Sequence, residues 1–228
     1  MPTTSEAPQV VTPHPAKWST PILAQVAYQL GMIRQDWTGH RLLDPFAGVG
    51  LDRLRDACPT AEWVGVELEP EWACQVPGTI AADATRLPFP DRSFSGAVTS
   101  PVYGNRMSDT YDGRDGSKRM TYRIALGRMP GGRSIATMQW GRTYRAMHRL
   151  AWRELFRVLD HEAPALVNIS NHVRKGQVQH VMEWHLDTLV STGFRFQRLV
   201  PIETRRFKNG ANREARVASE HLIVMVRP

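Results

Sequence analysis

Five short apolar runs constrain this chain more than any other feature: "RLLDPF", "EWVGVEL", "GTIAAD", "FSGAVTS" and "PALVNIS". Runs of this length, rich in Val, Leu, Ile and Ala, suit strands covered on both faces by helices. The stretches between them carry helical patterns. "LDRLRDA" is a short helix, and "TYRAMHRLAWRELFRVL" places Tyr144, Met147, Ala151, Leu155 and Val158 on one face. "QVQHVMEWHLDTLVSTG" is a further helix closed by Gly193, and "STPILAQVAYQLG" an earlier one. In that earlier helix Ser19 or Thr20 caps the start, Pro21 suits the first turn and Gly31 is the expected stop. "FRFQRLVPIE" and "EHLIVMV" pair as an antiparallel ribbon at one sheet edge. The pattern predicts an α/β fold with a mostly parallel seven-stranded sheet and helices on both faces.

The 228 residues suffice for one such domain, expected over 14–228 after a flexible lead-in over 1–13. Two stretches do not fit simple connections. Residues 104–141 are too long for an ordinary loop, which marks a basic, functional insert. Residues 205–219, "RRFKNGANREARVAS", form a second basic insertion between the last two strands. Lys+Arg 29 against Asp+Glu 22 gives a net charge of +7, which favours a polyanionic partner. Cys58 and Cys74 are isolated, as in a reducing, cytoplasmic setting, and no apolar run is long enough to span a membrane. His180 and His185 are five residues apart, so they make no metal pair on one helix face, and no other metal-ligand spacing occurs.

The candidates for chemistry fall at strand ends. "DPFAGVG", Asp44 to Gly50, closes the first strand, and Gly48 and Gly50 permit a tight turn that a ligand can approach closely. Glu67 ends the second strand, where a carboxylate can accept both hydroxyls of a ribose; it reads equally as a solvated strand end. Asp83 ends the third, placed either for an adenine amino group or as a turn cap. Ligands of open α/β sheets bind at these carboxyl ends, so three such features in order point to a nucleotide-like cofactor.

On these residues the chain resembles the S-adenosylmethionine-dependent methyltransferases of the class-I Rossmann-like fold. More narrowly, it resembles the DNA methyltransferases that modify exocyclic amino groups. Their F-x-G-x-G motif matches Phe46, Gly48 and Gly50, and their acidic residues match Glu67 and Asp83. Their (S/N/D)-P-P-(Y/F/W) motif corresponds to Ser100, Pro101, Val102 and Tyr103, with Val102 departing from the pattern. "HPAKWSTPIL" is similar to a cofactor motif before the first strand, which would put Lys17, Trp18 and Ser19 near the methionine moiety.

The resemblance implies S-adenosylmethionine as cofactor. It implies that Ser100 and the Pro101 carbonyl accept hydrogen bonds from the target amino group while Tyr103 stacks on a flipped base. A Ser-type motif favours N4 of cytosine over N6 of adenine. Val102 falls where the motif's side chain contributes stiffness rather than an acceptor. DNA contact is expected from Arg106, Arg119, Arg123 and Arg128 in the insert and from Arg205, Arg206 and Lys208 in the later loop. An RNA guanine-N2 methyltransferase and a non-catalytic nucleic-acid-binding homologue are the competing readings. The lack of an evident recognition domain leaves room for a homodimer, and a restriction–modification role is compatible with all of this.

Overall fold

The computed structural model describes residues 13–15, 18–104, 120–174, 176–204, 217 and 219–228. In chain order the strands are β1 (Arg41–Asp44), β2 (Glu62–Glu67), β3 (Thr79–Ala81), β4 (Gly96–Thr99), β5 (Pro164–Ile169), β6 (His172–Arg174), β7 (Gln177–Gln179), β8 (Arg195–Glu203) and β9 (Ser219–Val226). Seven of them form one sheet in the order β3-β2-β1-β4-β5-β9-β8. The first five pair in parallel, whereas β9 runs antiparallel to both β5 and β8. The expected terminal ribbon is therefore present, with β9 inserted between β5 and the edge strand. The chain has the class-I methyltransferase fold expected from its sequence.

The strand residues divide between two cores by simple alternation, because successive side chains of a strand point to opposite faces. Leu43, Ala97, Ala165, Val167, Ile223 and Met225 pack with Trp152, Leu155 and Val158 of α5 (Arg142–Val158) and with Val181 and Leu189 of α6 (Val181–Thr192). Their neighbours Leu42, Val98, Leu166, Leu222 and Val224 pack on the other face. They meet Ile22, Val26 and Leu30 of α1 (Thr20–Ile33) and Leu51 and Leu54 of α2 (Leu51–Ala57). Each large aliphatic side chain buried this way contributes about 1.5–3 kcal/mol. Gly96 in β4 is required by the same density, since a Cβ there would lie 2.9 Å from Leu42 Cδ2 and 3.2 Å from Pro164 Cγ.

Several details depart from the sequence expectations. Gly31 does not stop α1, which runs on to Ile33 before Arg34 turns extended. The helix expected from Gln177 begins only at Val181. Gln177–Gln179 pairs instead with His172–Arg174 in a hairpin that turns through Gly176 at φ 75°. The later half of the 104–141 insert is folded. Thr121 caps α4 (Tyr122–Leu126) by accepting from the Ile124 amide, Gly127 ends it at φ 68°, and a 3-10 turn follows at Ile135–Thr137. A short helix, α3 (Pro70–Ala73), follows β2. Among the described residues no helix is long and apolar enough to cross a membrane. The 1–13 lead-in lies outside the described residues except for Pro13.

Candidate active site

A cavity of about 370 Å³ opens at the carboxyl ends of β1, β2, β3 and β4. Of the residues expected to hold a cofactor, Trp18, Ser19, Phe46, Gly50, Glu67 and Asp83 line it. Asp44 and Gly48 support that wall without lining it, and Lys17 lies outside the described residues. Ser100, Pro101, Val102 and Tyr103 line the same cavity, so both halves of the sequence motif meet in one space.

The glycine turn after β1 is shaped by its neighbours. Gly48 sits at φ 52°, and a Cβ there would lie 2.9 Å from the His14 ring. A Cβ on Gly50 would lie 2.7 Å from Trp18. The stretch before α1 thus packs directly on the turn, and His14 joins Trp72 and Tyr122 in an aromatic wall with ring centroids 4.4 to 5.1 Å apart. The Gly48 amide donates to Glu67 Oε2 at 3.0 Å and the Glu69 amide to Glu67 Oε1 at 2.9 Å, fixing the carboxyl across the turn. Burial, only partly offset by these amides, pushes Glu67 up to about 7.

Asp44 is fully buried at the end of β1. Its Oδ1 accepts from the Thr99 hydroxyl at 2.6 Å and from the Phe46 amide at 3.0 Å, joining the ends of β1 and β4. Its Oδ2 is buried with no partner among the described residues, and burial pushes the carboxyl up to about 7.

The insert closes one side of the cavity through ion pairs. Arg128 spans Glu71 and Glu69 at 2.6 to 2.8 Å, and the Gly131 amide donates to Glu69 Oε1 at 2.7 Å. Arg133 donates to Asp83 Oδ2 at 2.6 Å, while Asp83 Oδ1 accepts from the Thr85 amide and hydroxyl. Burial alone would raise the Asp83 carboxyl, but these donors outweigh it and hold it below its usual range. Arg128, expected to contact DNA, thus has its charge met inside the protein by two carboxylates. Arg123 is exposed on α4; Arg106, Arg119, Arg205, Arg206 and Lys208 lie outside the described residues.

Val102 has more to do than its place in the motif suggested. Its side chain packs against a small cluster of Trp72, Tyr122 and Ala136. Its carbonyl accepts from Tyr144 Oη at 2.6 Å. Behind Tyr144 lies a buried chain whose directions can be worked out. Trp152 Nε1–H donates to His185 Nδ1 at 3.1 Å. The other ring nitrogen of neutral His185 then carries the proton and donates to Tyr144 Oη at 2.9 Å, which frees the phenol proton for Val102. Burial, with His148 nearby, holds His185 well below its usual range, so it stays neutral. None of these supporting residues belongs to a recognisable motif; the only sequence signal was the apolar face of α5.

No family model matches the sequence, and no curated protein matches it. Solved structures are similar in fold. The [4+2]-cyclase SpnF aligns with a TM-score of 0.56 at 16% identity, over 93% of this chain and 83% of its own. Magnesium protoporphyrin IX methyltransferase from Synechocystis PCC 6803, solved with bound S-adenosylmethionine, aligns with a TM-score of 0.53 at 13% identity, over 90% and 78%. A SAM-dependent methyltransferase from Methanosarcina mazei gives 0.51 at 13% identity, over 82% and 92%. At these identities the likeness is one of fold.

Two predictions follow from the buried supports. Tyr144→Phe strands the Val102 carbonyl and the His185 N–H together, and denaturant unfolding should show a loss of about 1–3 kcal/mol. The Asp44 carboxyl takes up its proton near pH 4 when unfolded but near 7 when folded, so its contribution to stability falls as pH rises through that window. Asp44→Asn should therefore leave the Tm unchanged near pH 4 and raise it near pH 8, relative to the parent. An equal change at both pH values contradicts the burial of an unpaired carboxyl.

Proposed function

We propose that the protein is an S-adenosylmethionine-dependent methyltransferase acting on an exocyclic amino group of a nucleic-acid base, with N4 of cytosine in DNA favoured. The observation that carries this reading is the shared cavity. Phe46, Gly50, Glu67 and Asp83 line it together with Ser100, Pro101 and Tyr103.

The cavity's residues fit the cofactor. Each Glu67 oxygen accepts one amide and keeps a lone pair for a ribose hydroxyl. Trp72 Nε1 is a buried donor in the cavity wall with no partner among the described residues, of the kind a purine ring nitrogen accepts from. Trp18 and Phe46 supply apolar surface. Asp83 would share an adenine amino group with Arg133 rather than hold it alone. When bound, the cofactor supplies a methyl group activated on a sulfonium. The protein's part is to hold the target amino group against acceptors that do not reorganise, chiefly the Ser100 hydroxyl and the Pro101 carbonyl. The insert, pinned by Arg128 and Arg133, helps to exclude water.

A polyanionic partner has support beyond net charge. Arg142, Arg145, Arg149 and Arg153 recur on one side of α5 over roughly 16 Å, and none forms an ion pair with a described residue. Arg145 lies over the Trp140 ring at 4.3 Å and Arg149 over Trp184 at 5.5 Å, contacts that order these two of the four guanidinium groups. The row begins beside the catalytic stretch, since the Trp140 amide donates to the Gly104 carbonyl. Such a row suits a phosphate backbone led towards the cavity.

The test is nucleoside mass spectrometry after incubating unmethylated DNA, and separately transfer RNA, with the protein and S-adenosylmethionine. N4-methylcytosine in DNA is expected. N2-methylguanine in RNA alone would move the substrate to RNA, and no methylated base in either would overturn the reading.

A further inference from the structure

Four side chains at the cavity wall form a hydrogen-bonded chain whose direction is fixed by proton counting. Tyr103 Oη donates to Glu220 Oε2 at 2.9 Å. Asn168 Nδ2 donates its two protons to the same oxygen at 2.8 Å and to Tyr103 Oη at 2.8 Å, with Ser100 Oγ a longer contact at 3.4 Å. The carboxylate can only accept, which fixes the orientation of the Asn168 amide. A phenol has a single proton, and Tyr103 gives it to Glu220. The 3.0 Å contact between Ser100 Oγ and Tyr103 Oη must then be Ser100 donating. Ser100, which lines the cavity, is thereby left as an acceptor towards whatever enters.

The topology makes this arrangement specific. Ser100 and Tyr103 follow β4, Asn168 is 1% exposed in β5, and Glu220 comes from the start of β9, more than a hundred residues further on. Because β9 runs antiparallel to β5, its beginning lies beside the end of β5, with Asn168 opposite Leu222 in register. A carboxylate from the far end of the chain is thus brought to the catalytic stretch. The motif contains no acid of its own.

Resting on the amino-methylation reading above, we propose that Glu220 is the terminal proton acceptor and polarity-setting residue of a Ser100–Tyr103 relay. As the amino nitrogen's lone pair forms the N–C bond, the C–S bond breaks with its electrons on sulfur, leaving a thioether and a cationic nitrogen. That nitrogen passes an N–H proton to Ser100 Oγ, Ser100 passes its own proton to Tyr103 Oη, and Tyr103 passes its own to Glu220. Glu220 ends as a neutral acid that later returns the proton to solvent. Before reaction, the same polarity aims an acceptor rather than a donor at the amino group. Glu220 acts through Tyr103 and is a positioning residue; Asn168 holds the phenol and the carboxylate in register.

The full chain labelled with ¹³Cζ-tyrosine tests the direction of the relay without turnover. The Tyr103 signal, assigned by its loss in Tyr103→Phe, should move in Glu220→Gln, where a near-isosteric amide can donate back to the phenol, and should return towards the parent position in Glu220→Asp. A Tyr103 signal unmoved by Glu220→Gln would overturn the proposal. In turnover, Glu220→Gln should lower kcat about tenfold or more with KM for nucleic acid and cofactor affinity unchanged. It should add nothing further in a Tyr103→Phe background. Independent, multiplying effects of the two changes would also overturn it. If the parent protein methylates no base at all, the functional reading fails, while the NMR result still decides the relay.

Discussion

A sheet covered by helices on both faces leaves a ligand only the ends of its strands. Here that constraint is strict: Leu42 and Leu43, Ala97 and Val98, Leu166 and Val167 each send neighbouring side chains into opposite cores. The polar and acidic residues that interrupt the apolar pattern, Asp44, Glu67, Asp83 and Ser100, all come where the parallel strands run out. β2 and β3 lie to one side of β1 and the parallel β4 to the other, and the Thr99 hydroxyl bonds Asp44 across that switch point. The glycine turn after β1 and the Ser100–Tyr103 stretch after β4 are thus joined by one buried hydrogen bond.

Around this seam the structure holds the Ser100–Tyr103 stretch from two sides. From behind, the Trp152–His185–Tyr144 chain ends on the Val102 carbonyl. From the side, Glu220 and Asn168 bind the Tyr103 hydroxyl. A second proline at position 102 would stiffen the stretch through its own ring. Here valine leaves the stiffness to a neighbouring hydroxyl and to packing against Trp72 and Tyr122.

The strand pattern was legible because period-two burial on a parallel sheet leaves uninterrupted apolar runs. The candidate site was legible where it coincides with strand ends, as with Phe46, Glu67 and Ser100. What escaped the sequence depends on contacts between distant segments. Nothing local marks Glu220, whose role arises from the antiparallel placement of β9 beside β5. In the sequence His185 figures only as half of a metal pair with His180, which its spacing excludes, and only its burial against Trp152 and Tyr144 gives it a direction. The Gln177–Gln179 strand was taken into a helix because three polar and apolar residues suit either state until a pairing partner is known. Arg128 read as a free cation because Glu69 and Glu71, its partners, lie almost sixty residues earlier.

In the proposed site the strand ends form one cofactor pocket, with Glu67 as the ribose-binding carboxylate and Ser100 in the neighbouring target site. Calorimetric titration of S-adenosylmethionine into the full chain tests it most directly. One equivalent should bind to the parent, binding should be lost or weakened about tenfold or more in Glu67→Ala, as when a buried hydrogen-bond partner is removed, and binding should be retained in Ser100→Ala. No binding by the parent, or equal affinity in Glu67→Ala, would contradict it.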